Sequence, residues 1–160
     1  MVVELSLREA TPADIPVLVD HRRRMFEDMA SLNDDRYDPA DLDSMDEAYA
    51  RQLRTRLLDG TLQAWVLESG GQIVASGSIL FSTWLPRPRD LTERLAYLHS
   101  VYTLPEYRRR GLARRIVRTA VEACRARGLK RVMLHASDAG RPLYESLGFR
   151  QTNEMRLVLT

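Results

Sequence analysis

From Tyr102 to Ala113 the chain reads Tyr-Thr-Leu-Pro-Glu-Tyr-Arg-Arg-Arg-Gly-Leu-Ala, a strand-like stretch that passes through a proline turn into the start of an amphipathic helix. Such a junction attracts anions. The first amides of a helix have no partner within it, and its dipole adds partial positive charge, so a phosphate group can accept several backbone hydrogen bonds there. Gly111 removes the side chain that would block close approach, Ala113 stays small, and Arg108, Arg109, Arg110 and Arg114 add charge around the turn. Two other phosphate motifs are absent. The chain has no Gly-x-x-x-x-Gly-Lys-Ser/Thr run and no Gly-x-Gly-x-x-Gly, which sets aside nucleoside-triphosphate loops and dinucleotide binding.

The remaining reactive residue types are few. Cys124 is the single cysteine and sits at the helical spacing of Val117, Ala120 and Val121, so a core thiol is expected and a disulfide framework is excluded. No histidine, cysteine and carboxylate cluster has ligand spacing, so no metal is expected. His135 stands beside Leu134 in an apolar stretch and reads as a structural, hydrogen-bonded residue.

These residues need a scaffold, and the pattern supplies one. Val3, Leu5 and Leu7 alternate with polar residues as in a half-buried strand, and Thr11-Pro12-Ala13-Asp14 then opens a helix with Ile15, Leu18, Val19, Met25, Phe26 and Met29 on its apolar side. Residues Ser31 to Leu42, rich in Asp, Asn and Pro, read as loop, and a second helix is expected from Asp43 or Ser44 to Gly60. Leu62 to Glu68 and Gln72 to Ser82 flank Ser69-Gly70-Gly71 as a hairpin. Strands over Leu95–Thr103, Arg131–Ala136 and Met155–Leu159 alternate with helices over 112–127 and Pro142–Leu147. The expectation is one α/β domain over residues 3–160, a mixed, mostly antiparallel twisted sheet with helices on both faces.

At this point the residues resemble the GCN5-related N-acetyltransferases (GNAT family). The family signature Arg/Gln-x-x-Gly-x-Gly/Ala is matched by Arg108, Gly111 and Ala113, and a later Tyr-x-x-x-Gly-Phe run by Tyr144, Gly148 and Phe149. The resemblance implies the splayed central strands of that fold, acetyl-CoA as co-substrate without a metal, and direct acetyl transfer to a small-molecule or peptide amine. Carried over, Val101, Tyr102 and Thr103 meet the pantetheine arm, and the amides from Arg109 through Arg110, Gly111, Leu112 and Ala113 to Arg114 hold the pyrophosphate. Ser137 takes a place where the family often has asparagine. Tyr144 is the implied acid for the leaving thiolate, and Glu93 and His99, flanking the fourth strand, are candidates for the base side. A homodimer through the late strands follows by analogy alone.

Composition limits the other classes. Net charge is +2, with 24 basic against 22 acidic residues, and Lys130 is the only lysine, so most of the arginine excess reads as codon preference. Near balance of charge argues against nucleic acid as partner. No apolar run approaches the roughly 20 residues of a membrane span, and the N-terminus lacks a signal-peptide pattern, so a cytoplasmic address is expected. A catalytically silent acyl-CoA binding or sensing module is the alternative to an enzyme. The acceptor region, Met25 to Tyr49 and Thr83 to Glu93, carries Phe26, Met29, Tyr37 and Trp84 beside Asp28, Asp34, Asp35 and Asp38, which would suit a cationic amine.

Overall fold

The computed structural model describes residues 4–159, so Val3 and Thr160, the ends of the expected domain, lie outside the described residues. Strands β1 (Leu5–Glu9), β2 (Leu62–Ser69), β3 (Gln72–Thr83), β4 (Arg94–Thr103) and β5 (Val132–Leu134) form one sheet in chain order. Every pair is antiparallel except β4 with β5, which is parallel. Helices α1 (Ile15–Leu32) and α2 (Pro39–Asp59) precede β2, α3 (Leu112–Ala126) joins β4 to β5, and the short α4 (Arg141–Ser146) follows β5.

Strand alternation divides the apolar residues between two cores. Ala64 and Val66 of β2 pack with Ile15, Leu18 and Leu53 from α1 and α2, while Trp65 and Leu67 share the other core with Ile116, Val117 and Ala120 of α3. Each fully buried aliphatic side chain contributes about 1.5–3 kcal/mol. Helices therefore cover both faces, as the pattern predicts. At Gly77 of β3 a Cβ would lie 2.5 Å from Ile116 Cγ2, so the absent side chain is what lets α3 lie this close to the sheet.

Two elements differ from expectation. Helix α2 begins at Pro39, not at Asp43, because the residues that read as loop formers are its cap: the Asp38 carboxylate accepts the Ala40 N–H at 2.8 Å and Pro39 takes the first helical position. No strand forms at Met155–Leu159, where Met155 is 94% and Leu157 82% exposed. The apolar alternation there is real, but a strand also needs a neighbour to pair with, and β5 has only three paired residues, all facing β4.

Candidate functional site

The cleft is made by two neighbouring strands parting. The β4–β5 ladder ends at Leu98 and Leu134, yet β4 runs on to Thr103, so from His99 onward its outer edge has no strand beside it. Backbone N–H and C=O groups on that edge are available to an extended, amide-bearing ligand. On the inner side the register slips between Ser76 and Ser78, leaving Gly77 opposite Ser100 and Val101. Ser100 absorbs this bulge with φ 54 and is buried, a strained conformation held by packing on both sides. The opening, about 1130 Å³, is walled by this end of β4, the start of α3, α1 and the segment around α4.

At one end lies the helix start. Gly111 has φ 76 and Arg109 φ 63, which turns the chain sharply into α3. The first helical bond after the turn runs from Arg115 N–H to Gly111 O at 3.1 Å, so the amides of Leu112, Ala113 and Arg114 have no acceptor inside the helix. Leu112, 2% exposed, anchors the turn in the core. Thr103 Oγ1, also on this wall, is buried without a partner among the described residues. An anionic group flanked by an amide-rich chain matches these vacant donors and acceptors.

The arginines around the turn differ in what they do. Arg108 bridges elements: it donates to Asp28 Oδ2 at 2.6 Å and to Thr103 O at 3.0 Å, and its guanidinium lies 5.5 Å from the Tyr102 ring. It ties α1 to the end of β4. Arg114 reaches Ser146 Oγ at 2.8 Å, and Arg109 lines the cleft. Arg110 turns away and lies over Tyr107, 5.2 Å from the ring centre.

Across the cleft, Tyr144 of α4 packs edge-on against Phe149 at 5.8 Å, and burial raises its pKa, which keeps the hydroxyl protonated. A Cβ at Gly140 would come within 3.2 Å of the Tyr144 ring, and Ser137 Oγ accepts the Gly140 N–H at 3.1 Å, so this loop fixes the tyrosine. His99, Val101, Tyr102, Thr103, Ser137 and Tyr144 thus share one cleft with the helix start. Glu93 does not join them: it is exposed, and its carbonyl accepts the Trp84 N–H at 2.8 Å. His99 lies on the wall, but burial, with the Arg22 charge adding to it, pushes its pKa down to about 3. Cys124 is 1% exposed, and burial pushes its thiol up to about 11.

Sequence reasoning missed a polar cluster on α1. His21 is 2% exposed, bonds Ser76 Oγ through Nδ1 at 2.8 Å and stacks near Tyr102 at 5.1 Å. Arg22 donates to Ser100 Oγ at 2.7 Å and lies between the rings of Phe26 and Tyr49, at 5.1 and 4.8 Å. A polar pair in the stripe of Leu18 and Met25 was the available signal. Of the expected acceptor region, Phe26, Asp28, Met29, Asp35 and Tyr37 line the cleft, whereas Asp34, Asp38 and Trp84 do not. Asp28 is paired with Arg108, Asp38 caps α2, and Trp84 is 51% exposed away from the cleft.

Comparison with known proteins decides the family. The family model described as "Acetyltransferase (GNAT) family" matches residues 26–149. The chain belongs to the GNAT family. Within it, a GCN5-related N-acetyltransferase structure from Ralstonia eutropha JMP134 superposes with TM-score 0.88 at 28% identity, covering 98% of this chain and 99% of that one. A predicted acetyltransferase from Clostridium acetobutylicum, solved with acetyl-CoA, gives TM-score 0.87 at 28% identity, covering 98% of this chain and 96% of that one. Glucosamine 6-phosphate N-acetyltransferase of Trypanosoma brucei brucei is 32% identical over 90 residues, 56% of this chain; the matched part spans 59% of that relative's length. The open five-stranded mixed sheet with helices on both faces is the GNAT fold.

Proposed function

We propose that this chain transfers the acetyl group of acetyl-CoA directly to an amine within a ternary complex. The observation that carries the reading is the meeting, in one cleft, of an unpaired β4 edge with the free amides of Leu112 to Arg114. An extended pantetheine can pair with the first, from Val101 to Thr103, and a pyrophosphate needs the second. Arg109 and Arg114 add charge beside the amides.

Chemically, the amine nitrogen attacks the thioester carbonyl carbon, the C–S bond breaks, and the departing sulfur takes the Tyr144 hydroxyl proton. Tyr144 suits this because burial keeps it protonated until a thiolate forms beside it. His99, pushed down to about 3, is too weak a base to hold an ammonium proton. The amine therefore releases its proton to water, water returns a proton to the Tyr144 phenolate, and the rise of kcat/KM with pH follows the pKa of the acceptor amine.

Coenzyme A titrated into the protein by calorimetry should bind with 1:1 stoichiometry and raise its Tm; no binding and no shift would overturn the reading. With amines and thiol-release detection, Tyr144→Phe should lower kcat by about 100-fold or more with little change in acetyl-CoA affinity. Binding without turnover of any amine would instead support a silent acyl-CoA module.

A further inference from the structure

Given that reading of the cleft as an acetyl-transfer site, we infer that the acceptor amine carries an oxyanion, a carboxylate or a phosphate, and that Arg22 binds it. Arg22 belongs to a run of three arginines whose members meet different fates. Arg23 is paired with Glu27, Asp43 and Asp46, and Arg24 with Asp20. Arg22 alone of the three lines the cleft, and it makes no ion pair among the described residues. It is half-buried and stacked between Phe26 and Tyr49, so its fork is held in place before any ligand arrives.

A guanidinium partly removed from water without a counter-charge is costly, and a planar fork with free N–H groups is suited to a carboxylate or phosphate. Only Nη1 is engaged, donating to Ser100 Oγ at 2.7 Å. The same Oγ also lies 2.9 Å from His99 Nδ1, so Ser100 links the guanidinium to the neighbouring imidazole. His99 Nε2 is buried and has no hydrogen-bond partner among the described residues. Guanidinium and imidazole thus meet at Ser100 on the same stretch of β4.

The two acids of the wall are turned to other groups: Asp28 is ion-paired with Arg108, Asp35 Oδ1 accepts the Arg36 N–H at 2.8 Å, and neither pairs with Arg22. Position separates this site from the one at the helix start, because Ser100 precedes Thr103 by about 10 Å of strand. The arginine stands on the α1 wall of the cleft, apart from the amides of Leu112 to Arg114.

The test uses matched amines on the full chain: glucosamine 6-phosphate against glucosamine, and L-amino acids against their amides, with thiol release as readout. The wild type should favour the anionic member of at least one pair by about ten- to a hundredfold in kcat/KM, the phosphate and carboxylate arms telling the two sources apart. Arg22→Gln should abolish that preference by raising KM for the anionic amine far more than for the neutral one, with coenzyme A affinity by calorimetry within about twofold of the wild type; Arg22→Lys should recover part of the preference. Equal use of both members in both pairs by an active wild type would overturn the inference while leaving acetyl transfer standing. Absence of coenzyme A binding would overturn the reading it rests on. Should Arg22→Gln fail to fold, the wild-type preference decides.

Discussion

The two ends of the cleft are built in different ways. At the α3 end the donors are backbone amides, and what matters is the shape of the turn through Gly111 and the closeness of α3 to β3. At the α1 end the groups are side chains, Arg22, His99 and Ser100, with the buried His21–Ser76 pair on the same helix, brought together from segments far apart in sequence; the Arg22–Ser100 bond spans 78 positions. A backbone site tolerates loss of individual charges but not of shape. A side-chain site is the reverse, and it also responds to protonation.

The largest expected effect probes that second dependence. Burial pushes His21 down to about 4 and His99 to about 3, from 6.5 in the unfolded chain. Both are lowered, so the folded state favours the neutral rings. Their contribution is intact above pH 6.5, and falls as pH drops towards 4, while the unfolded chain takes up protons the native one refuses. The loss amounts to about 2 kcal/mol per histidine at pH 5. Urea midpoints measured between pH 7.5 and 4.5 should show the decline, and His21→Gln should flatten part of it. A midpoint unchanged over that range would mean that both rings charge freely in the native state.

Shape at the opposite end is tested by Gly77→Ala. The added carbon meets Ile116 Cγ2 at 2.5 Å and Val101 Cγ2 at 3.3 Å, so α3 must shift away from the sheet. Overpacking of this kind costs about 1–3 kcal/mol. Because Ile116 follows the first turn of α3, coenzyme A affinity should fall together with stability, whereas Arg22→Gln should change neither the helix nor that affinity. Calorimetry on both variants separates the two ends.

The same contrast explains how much could be read beforehand. The α3 end was legible because its determinants are contiguous: strand, proline, Arg108, Gly111, Ala113 and a helix with an unbroken apolar stripe. The order of strands and the Gly70-Gly71 hairpin were legible for the same reason. What escaped depends on distance. Nothing local to Arg22 reveals Ser100, and nothing in the β4 sequence announces that Ser100 adopts φ 54, since the bulge arises from pairing with β3. Asp38 and Pro39 misled because the residues that favour loops also start helices. Met155 to Leu159 misled because alternation describes a face, not a partner.

A smaller effect is expected at Gly111→Ala. Here no atom lies within 4 Å of the new carbon, so the penalty is conformational only, from holding alanine at φ 76. Left-handed backbone costs a non-glycine residue about 1–2 kcal/mol, and the urea midpoint should register about 1 kcal/mol. Gly77→Ala strains nothing in the backbone but collides; Gly111→Ala collides with nothing but is strained.

The smallest effect is the sharpest test of the view that backbone geometry carries the α3 end. Arg110 sits in the middle of the arginine run, yet its guanidinium lies over Tyr107 and its side chain is exposed, outside the cleft wall. It can act on a pyrophosphate only through the long-range field, and exposed charges contribute about 0.2–1 kcal/mol and are screened by salt. Arg110→Gln should therefore weaken coenzyme A binding no more than about fivefold at low salt, and the difference should vanish at about 0.5 M salt, where screening acts within a few ångströms. A loss of tenfold or more that survived salt would mean that the Arg110 side chain touches the ligand directly, and the α3 end would then depend on individual charges as the α1 end does.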